Sequence, residues 1–291
     1  MTPYNLLVLL FALLHLVCVR SKEEFLRGHL TQGKQRHLQN QTVDINKDYP
    51  YLAYIKITGK DGKVYSCAGT LVHPKWVLTA ASCVEYADKV TVILGSNTIG
   101  QELCDKAEEP PIECHPINLN DADFFPEYDT EKKHGDFVLL KLEEPSSKSF
   151  AVLNYNYTSP ADHQAVWIAG WGAAAGADPE TITMQDVSLE RLSDFDCTLI
   201  PGGEEIAGDN AIQCAKGAGI HDTCIGDSGG PVIVKTAKVS TVVGVLSWSK
   251  PPKCPSDEPY WYNRVVYATL WMVVGHMEIW DADNKLINPG Q

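Results

Sequence analysis

Ser228 sits in the run Gly226-Asp227-Ser228-Gly229-Gly230-Pro231, a hydroxyl on a glycine-rich loop, and a second hydroxyl, Ser82, sits in Leu78-Thr79-Ala80-Ala81-Ser82-Cys83. A carboxylate, Asp136, lies in His134-Gly135-Asp136-Phe137-Val138-Leu139-Leu140-Lys141-Leu142. Nucleophilic attack by serine needs its hydroxyl, an imidazole that takes the proton and returns it, and a carboxylate that orients the imidazole. A second hydroxyl cannot replace the imidazole, because a group neither appreciably basic nor protonated near pH 7 cannot shuttle a proton both ways. In subtilisin, loss of the base alone costs roughly 10⁶-fold in turnover, or about 8 kcal/mol of barrier.

The elements that must hold these groups are strands. Short alternating or apolar runs bounded by turn residues recur at 51–58, 69–78, 90–94, 137–142, 165–170, 231–234 and 239–247. Many short strands without helices between them predict a barrel or sandwich. Near the end, Leu270, Val274 and Met277 recur at helical spacing, so 268–280 is expected to be a terminal helix packing that apolar stripe inward. At 291 residues and 44% hydrophobic content, the chain can bury a large core.

Residues 6–19 are apolar and too short to cross a bilayer comfortably, so 1–19 is expected to be a secretory signal, although the usual positive start is missing. No other stretch is long and apolar enough to span a membrane. Nine cysteines become eight if Cys18 leaves with the signal, an even number suited to an oxidising compartment. Metal binding is the rival use of cysteine, but no paired Cys-x-x-Cys or Cys/His spacing occurs, and neither metal nor cofactor is expected.

The net charge is −13 and unevenly spread. From Arg20 to Arg36 there are five basic and two acidic residues, leaving 19 basic and 35 acidic elsewhere, so residues 20–48 form a basic leader to an acidic domain. A nucleic-acid-binding domain would carry the opposite sign.

The quoted runs resemble the trypsin/chymotrypsin-like serine protease family. The resemblance extends from about Tyr49 to Trp280 and also includes Tyr49-Pro50-Tyr51-Leu52, Cys67-Ala68-Gly69-Thr70-Leu71 and Gly170-Trp171-Gly172. It implies an all-β fold of two six-stranded antiparallel β-barrels with a C-terminal helix. The homology domain would span 49–282, with barrels at about 49–155 and 156–266 and a tail at 283–291. In that comparison Ser228 takes the nucleophile's place, Asp136 the triad carboxylate's, and Ser82 stands where the histidine should be. Ser82 can then donate to Asp136 but cannot also reach Ser228 across the space an imidazole would fill. Rescue by another histidine falls on His134, two residues from Asp136 on the same segment, or on His73 in a strand; neither is placed to swing in.

The resemblance further implies disulfides Cys67–Cys83, Cys197–Cys214 and Cys224–Cys254, leaving Cys104 and Cys114 to pair locally. Another family bridge is absent on both sides at once, with Val166 and Val234 in place of its cysteines. Gly226 and Ser228 would supply the oxyanion-binding N–H pair. The activation-pocket carboxylate would be Asp227, yet no basic-Ile-Val-Gly-Gly sequence supplies the usual new amino terminus. The nearest cleavage candidate, Arg36, is followed by a polar His37. Asp222 matches the basal carboxylate of the specificity pocket, while Ser249 and Tyr260 replace its wall glycines. The Tyr260 hydroxyl is expected to reach Asp222 and fill the pocket; a slip of one or two residues in the Tyr260-Trp261-Tyr262 run is the alternative. Asn40 and Asn156 begin Asn-x-Thr glycosylation sequons. Glu102, Asp105, Glu108 and Glu109 occupy the calcium loop of some relatives, but a solvated acidic loop is the simpler reading.

The expectation is therefore a secreted, extracellular serine protease homologue without peptidase activity, acting by binding extracellular protein partners in an immune or reproductive network. A working trypsin-like endopeptidase with an unconventional base is the alternative, and a feeble esterase resting on Ser228 and the oxyanion donors is the third.

Overall fold

Along Leu52–Gly59 (β1) apolar and polar residues alternate, which buries Ala53, Ile55 and Ile57 and turns Lys56 and Thr58 outward. A computed structural model describes residues 43–99, 104, 112–172, 183–200, 203, 209–217, 228–237, 239–249 and 259–276. Before β1, a single helical turn at Ile45–Asp48 (α1) starts on Asp44, whose side chain accepts from Asn46 N.

The first sheet adds Val64–His73 (β2), Trp76–Thr79 (β3), Ala87–Leu94 (β4), Glu113–Ile117 (β5), Asp123–Phe124 (β6) and Val138–Lys141 (β7), in the order β5-β4-β1-β2-β3-β7-β6. The single strand expected at 69–78 is in fact parts of two. The chain reverses at Pro74-Lys75, so that Thr70 pairs with Leu78. Pro74 has no N–H to give a ladder, and the turn is fixed by Lys75 N donating to His73 Nδ1 at 3.2 Å. From β3 the chain enters a short helix, Ala81–Val84 (α2).

The second sheet contains Val152–Leu153 (β8), Ala165–Gly170 (β9), Gln185–Arg191 (β10), Ile212–Gly217 (β11), Pro231–Lys235 (β12), Ser240–Ser249 (β13) and Tyr260–Arg264 (β14). Its order is β12-β9-β10-β11-β14-β13-β8, and pairing of β12 with β13 closes six of these strands into a barrel. A short helix, Asp194–Thr198 (α3), lies between β10 and β11. Each sheet thus has six main strands and a two-residue addition at one edge. One addition departs from the expected antiparallel pattern, since β8 runs parallel to β13. The reason is the crossing between sheets: Ala151 N donates to Leu71 O at 2.8 Å and Asn154 N to Val242 O at 2.9 Å.

The terminal helix begins earlier than expected, at Val265, and runs to His276 (α4). Starting directly from β14 rotates its inward stripe onto Val265, Ala268 and Met272, all buried. Leu270, expected to pack inward, is 62% exposed instead. Val274's side chain and Met277 lie outside the described residues.

One apolar cluster joins the sheets, running from Ile55, Leu71, Leu78 and Leu139 to Ile233, Val242, Val265 and Met272. A second fills the closed barrel, and Val166 and Val234 are both buried in it. The register Val232↔Ile168, Ile233↔Trp167 carries these two valines alongside each other. Disulfides join Cys67 to Cys83, Cys104 to Cys114 and Cys197 to Cys214. Cys224 and Cys254 lie outside the described residues. Among the described residues no helix is long and apolar enough to cross a membrane.

Candidate functional site

The Ser228-Gly229-Gly230 turn is stitched to both sheets by its backbone. Ala68 N on β2 donates to Ser228 O at 2.9 Å, Gly229 N donates to Leu246 O at 2.6 Å, and Leu246 N on β13 returns a bond to Gly230 O at 2.9 Å. Gly229 has φ +82°, and a Cβ there would stand 2.1 Å from Thr79 Oγ1 and 2.5 Å from Ala68 O. Only glycine meets both demands, of conformation and of space. Thr79 Oγ1, at the end of β3, itself donates to Ala68 O at 2.8 Å. The backbone that presents Ser228 is thus held by β2 and the end of β3 on one side and by β13 on the other, and Ser228 itself is half-buried.

Three residues beyond Thr79, Ser82 faces Asp136. The Ser82 N–H donates to Asp136 Oδ1 at 2.7 Å and the Ser82 hydroxyl to Oδ2 at 2.8 Å. Ser247 Oγ, from β13, also donates to Oδ2. Asp136 has no exposed surface, and burial pushes its carboxyl above the ordinary value despite the bonds from Ser247 and Ser82 and the charge of Lys133. The Cys67–Cys83 disulfide fastens this corner to β2, and Cys83 Sγ lies 3.6 Å from Ser228 O.

The turn before Asp136 is fixed from the second sheet. Gly135, with φ +62°, donates its N–H to Asn263 Oδ1 at 2.9 Å, and Asn263 Nδ2 donates to Lys133 O at 3.1 Å. Asn263 is completely buried in β14. Ser247 and Asn263 are the two positioning residues that sequence reading missed. The available signal was a small polar residue within an apolar strand and an asparagine after three aromatic residues, since such groups are buried only with partners.

The described imidazoles are engaged elsewhere. His134 Nδ1 lies 2.6 Å from Asp209 Oδ2, His115 Nε2 lies 3.3 Å from Glu113 Oε2, and His163 Nδ1 lies 2.8 Å from Glu190 Oε1. His73 Nδ1 accepts from its own turn. Among the described residues, every hydrogen bond to the Asp136 side chain comes from Ser82 or Ser247. A carboxylate so saturated can anchor two hydroxyls, but these groups cannot draw the proton from Ser228.

Tyr260 is 5% exposed, pairs with Ala215 and Ser249, and belongs to the apolar cluster of the closed barrel. Asp222, its expected partner, lies outside the described residues, as do Gly226, Asp227, Asn40 and the leader around Arg36. Among the described residues no group of three or more His, Cys, Asp or Glu could hold a metal ion.

The chain matches the Trypsin family model over residues 39–272. It is 30% identical to kallikrein-7 of Homo sapiens over 220 residues, which covers 72% of this chain and 78% of that protein. With tryptase of Mus musculus it shares 29% over 229 residues, with the same coverage. With kallikrein-2 of Homo sapiens it shares 30% over 219 residues, 71% of this chain and 78% of that one. A solved structure described as HL collagenase superposes with a TM-score of 0.64 over 78% of this chain and 93% of its own, at 23% identity, a likeness of fold.

Proposed function

The chain belongs to the trypsin family of serine proteases, and from that premise we propose that it is a secreted member without peptidase activity, acting by binding other proteins outside the cell. The observation that supports this is the state of Asp136. Its carboxylate receives three hydrogen bonds, from Ser82 N, Ser82 Oγ and Ser247 Oγ, and none from an imidazole among the described residues. Without a base the Ser228 hydroxyl stays protonated near pH 7 and is a poor nucleophile, whatever the backbone around it.

In this reading residues 1–19 direct export, 20–48 form a basic leader, and the domain from 49 to 282 presents the binding surface. Three disulfides among the described residues agree with an oxidising compartment. In the same reading the Tyr260 hydroxyl reaches Asp222 and the two together close the specificity pocket. No suitable terminus follows Arg36, so in this reading the loop of Asp227 either stays zymogen-like or is held by another partner of Asp227.

The test is turnover by the secreted chain, before and after trimming at Arg36, against arginyl and aromatic peptide and ester substrates. The expected rate equals that of a Ser228→Ala variant. A rate that Ser228→Ala abolishes contradicts the proposal: peptide cleavage would favour an endopeptidase with an unconventional base, and ester cleavage alone a feeble esterase. Ser82→His by itself is expected to leave arginyl substrates uncleaved, since the pocket and the activation step differ as well.

A further inference from the structure

We propose that Asn156 carries an N-linked glycan, placed on a turn whose local geometry presents the amide nitrogen to solvent. The turn follows β8 and holds Asn156-Tyr157-Thr158. Asn156 Oδ1 accepts from Thr158 N at 2.9 Å and from Thr158 Oγ1 at 2.8 Å, and all three groups are exposed. With its oxygen held by Thr158, the side-chain amide must turn Nδ2 the other way. Among the described residues that nitrogen donates to nothing.

The bonds that shape the turn are local. Asn154 Nδ2 donates to Asn156 O at 2.9 Å, Ser159 N donates to the same oxygen at 3.1 Å, and Asn156 N donates to Asn154 Oδ1 at 3.3 Å. Interactions spanning two or three residues can form in a chain that has not yet folded, which is when an acceptor is modified. After folding, the sugar has room. Tyr157 is 60% exposed, its ring stands edge-on to Tyr267 at 5.4 Å, and its carbonyl is held from beneath by the buried Arg264. Arg264 also donates to Asn210 O at 3.0 Å, which ties this surface turn to the second sheet.

The donor is a lipid-linked oligosaccharide pyrophosphate of the secretory route. Asn156 Nδ2 forms the bond to the first sugar's C1, the bond from C1 to pyrophosphate oxygen breaks, the lipid pyrophosphate departs with the electron pair, and the proton lost from Nδ2 passes to solvent. A glycan here closes the Tyr157–Tyr267 face to a protein partner. The inference rests on the export part of the proposed function and not on the absence of catalysis.

The experiment is to express the full chain in a eukaryotic secretory host and measure intact and peptide masses before and after a glycan-removing amidase, which converts a modified asparagine to aspartate. The expected result is loss of one glycan mass assigned to residue 156, absent in Asn156→Gln and Thr158→Ala and retained in Thr158→Ser. A secreted chain with unmodified Asn156 overturns the inference. Should the chain remain inside the cell, the same masses are read with an established export signal in place of residues 1–19. Sugar at residue 156 in that chain upholds the glycan while the native-export reading fails; a bare Asn156 overturns the glycan.

Discussion

The turn at Ser228 and the corner at Ser82 hang from the same two strands, and they are held in different ways. The turn is fixed mainly through its backbone: Ser228 O on Ala68 N, Gly229 N on Leu246 O, and a glycine pressed against Thr79. The corner depends on side chains, with Ser82 and Ser247 converging on one buried carboxylate. Backbone architecture of the first kind persists through almost any change of side-chain chemistry, provided the glycine stays. Architecture of the second kind does not carry its chemistry with it, because one residue type decides whether a proton can be moved. With a serine in the corner, Asp136 is bonded by two hydroxyls and one backbone N–H, and among the described residues no imidazole takes part.

Breaking the backbone side of this comparison has the largest expected effect. Gly229→Ala adds a Cβ where Thr79 Oγ1 and Ala68 O already lie, at a φ that L-residues avoid. Strain and overpacking together are expected to cost about 3–5 kcal/mol, read as a fall in the denaturant midpoint. Next comes Asn263→Ala, which strips the buried Gly135 N–H and the half-buried Lys133 carbonyl of their partner. One unsatisfied buried group and one half-buried one are expected to cost about 2–3 kcal/mol by the same measurement.

The side-chain corner responds more weakly. Ser247→Ala removes one donor from the buried Asp136 and is expected to cost about 1.5–3 kcal/mol, whereas Ser82→Ala keeps the backbone donor and costs about 1 kcal/mol. Equal losses from the two serines would contradict the unequal roles given to them here, and thermal melts of both variants decide it.

The smallest effect is one of pH. Burial raises the Asp136 carboxyl in the folded chain, so folding favours its protonated form. That contribution is present in full below the ordinary aspartate value of about 4 and is lost as pH rises through the raised folded value. Asp136→Asn lacks this loss, so its stability relative to the parent is expected to grow as pH rises through that window. Paired denaturation curves check it, and a difference that stays constant with pH contradicts it.

The glycine-rich turn, the Asp136 segment and the serine at position 82 were legible because each is marked by residue type. In the first sheet β1, β4 and β7 were legible from their apolar or alternating runs, as alternation along β1 shows, whereas β5 and β6 were not. The reversal at Pro74 was not, since the apolar run continues across it. Nor were β10, β11 and β14, where Glu190, Gln213 and Asn263 interrupt the apolar pattern while pairing in the ladder. The terminal helix was placed by its apolar repeat, but its inward face was set by where β14 ends, which is a tertiary fact. Ser247 and Asn263 escaped notice because their partners are distant in sequence, and only the fold brings those partners within reach.

The central claim is that Ser228 has no base, and its most direct test is labelling by a phosphonate or organophosphorus probe, followed by mass spectrometry of the peptide containing Ser228. The protein is expected to show no more adduct than Ser228→Ala treated alongside it. Stoichiometric, time-dependent modification of Ser228 would mean that its hydroxyl is activated, and would contradict the account.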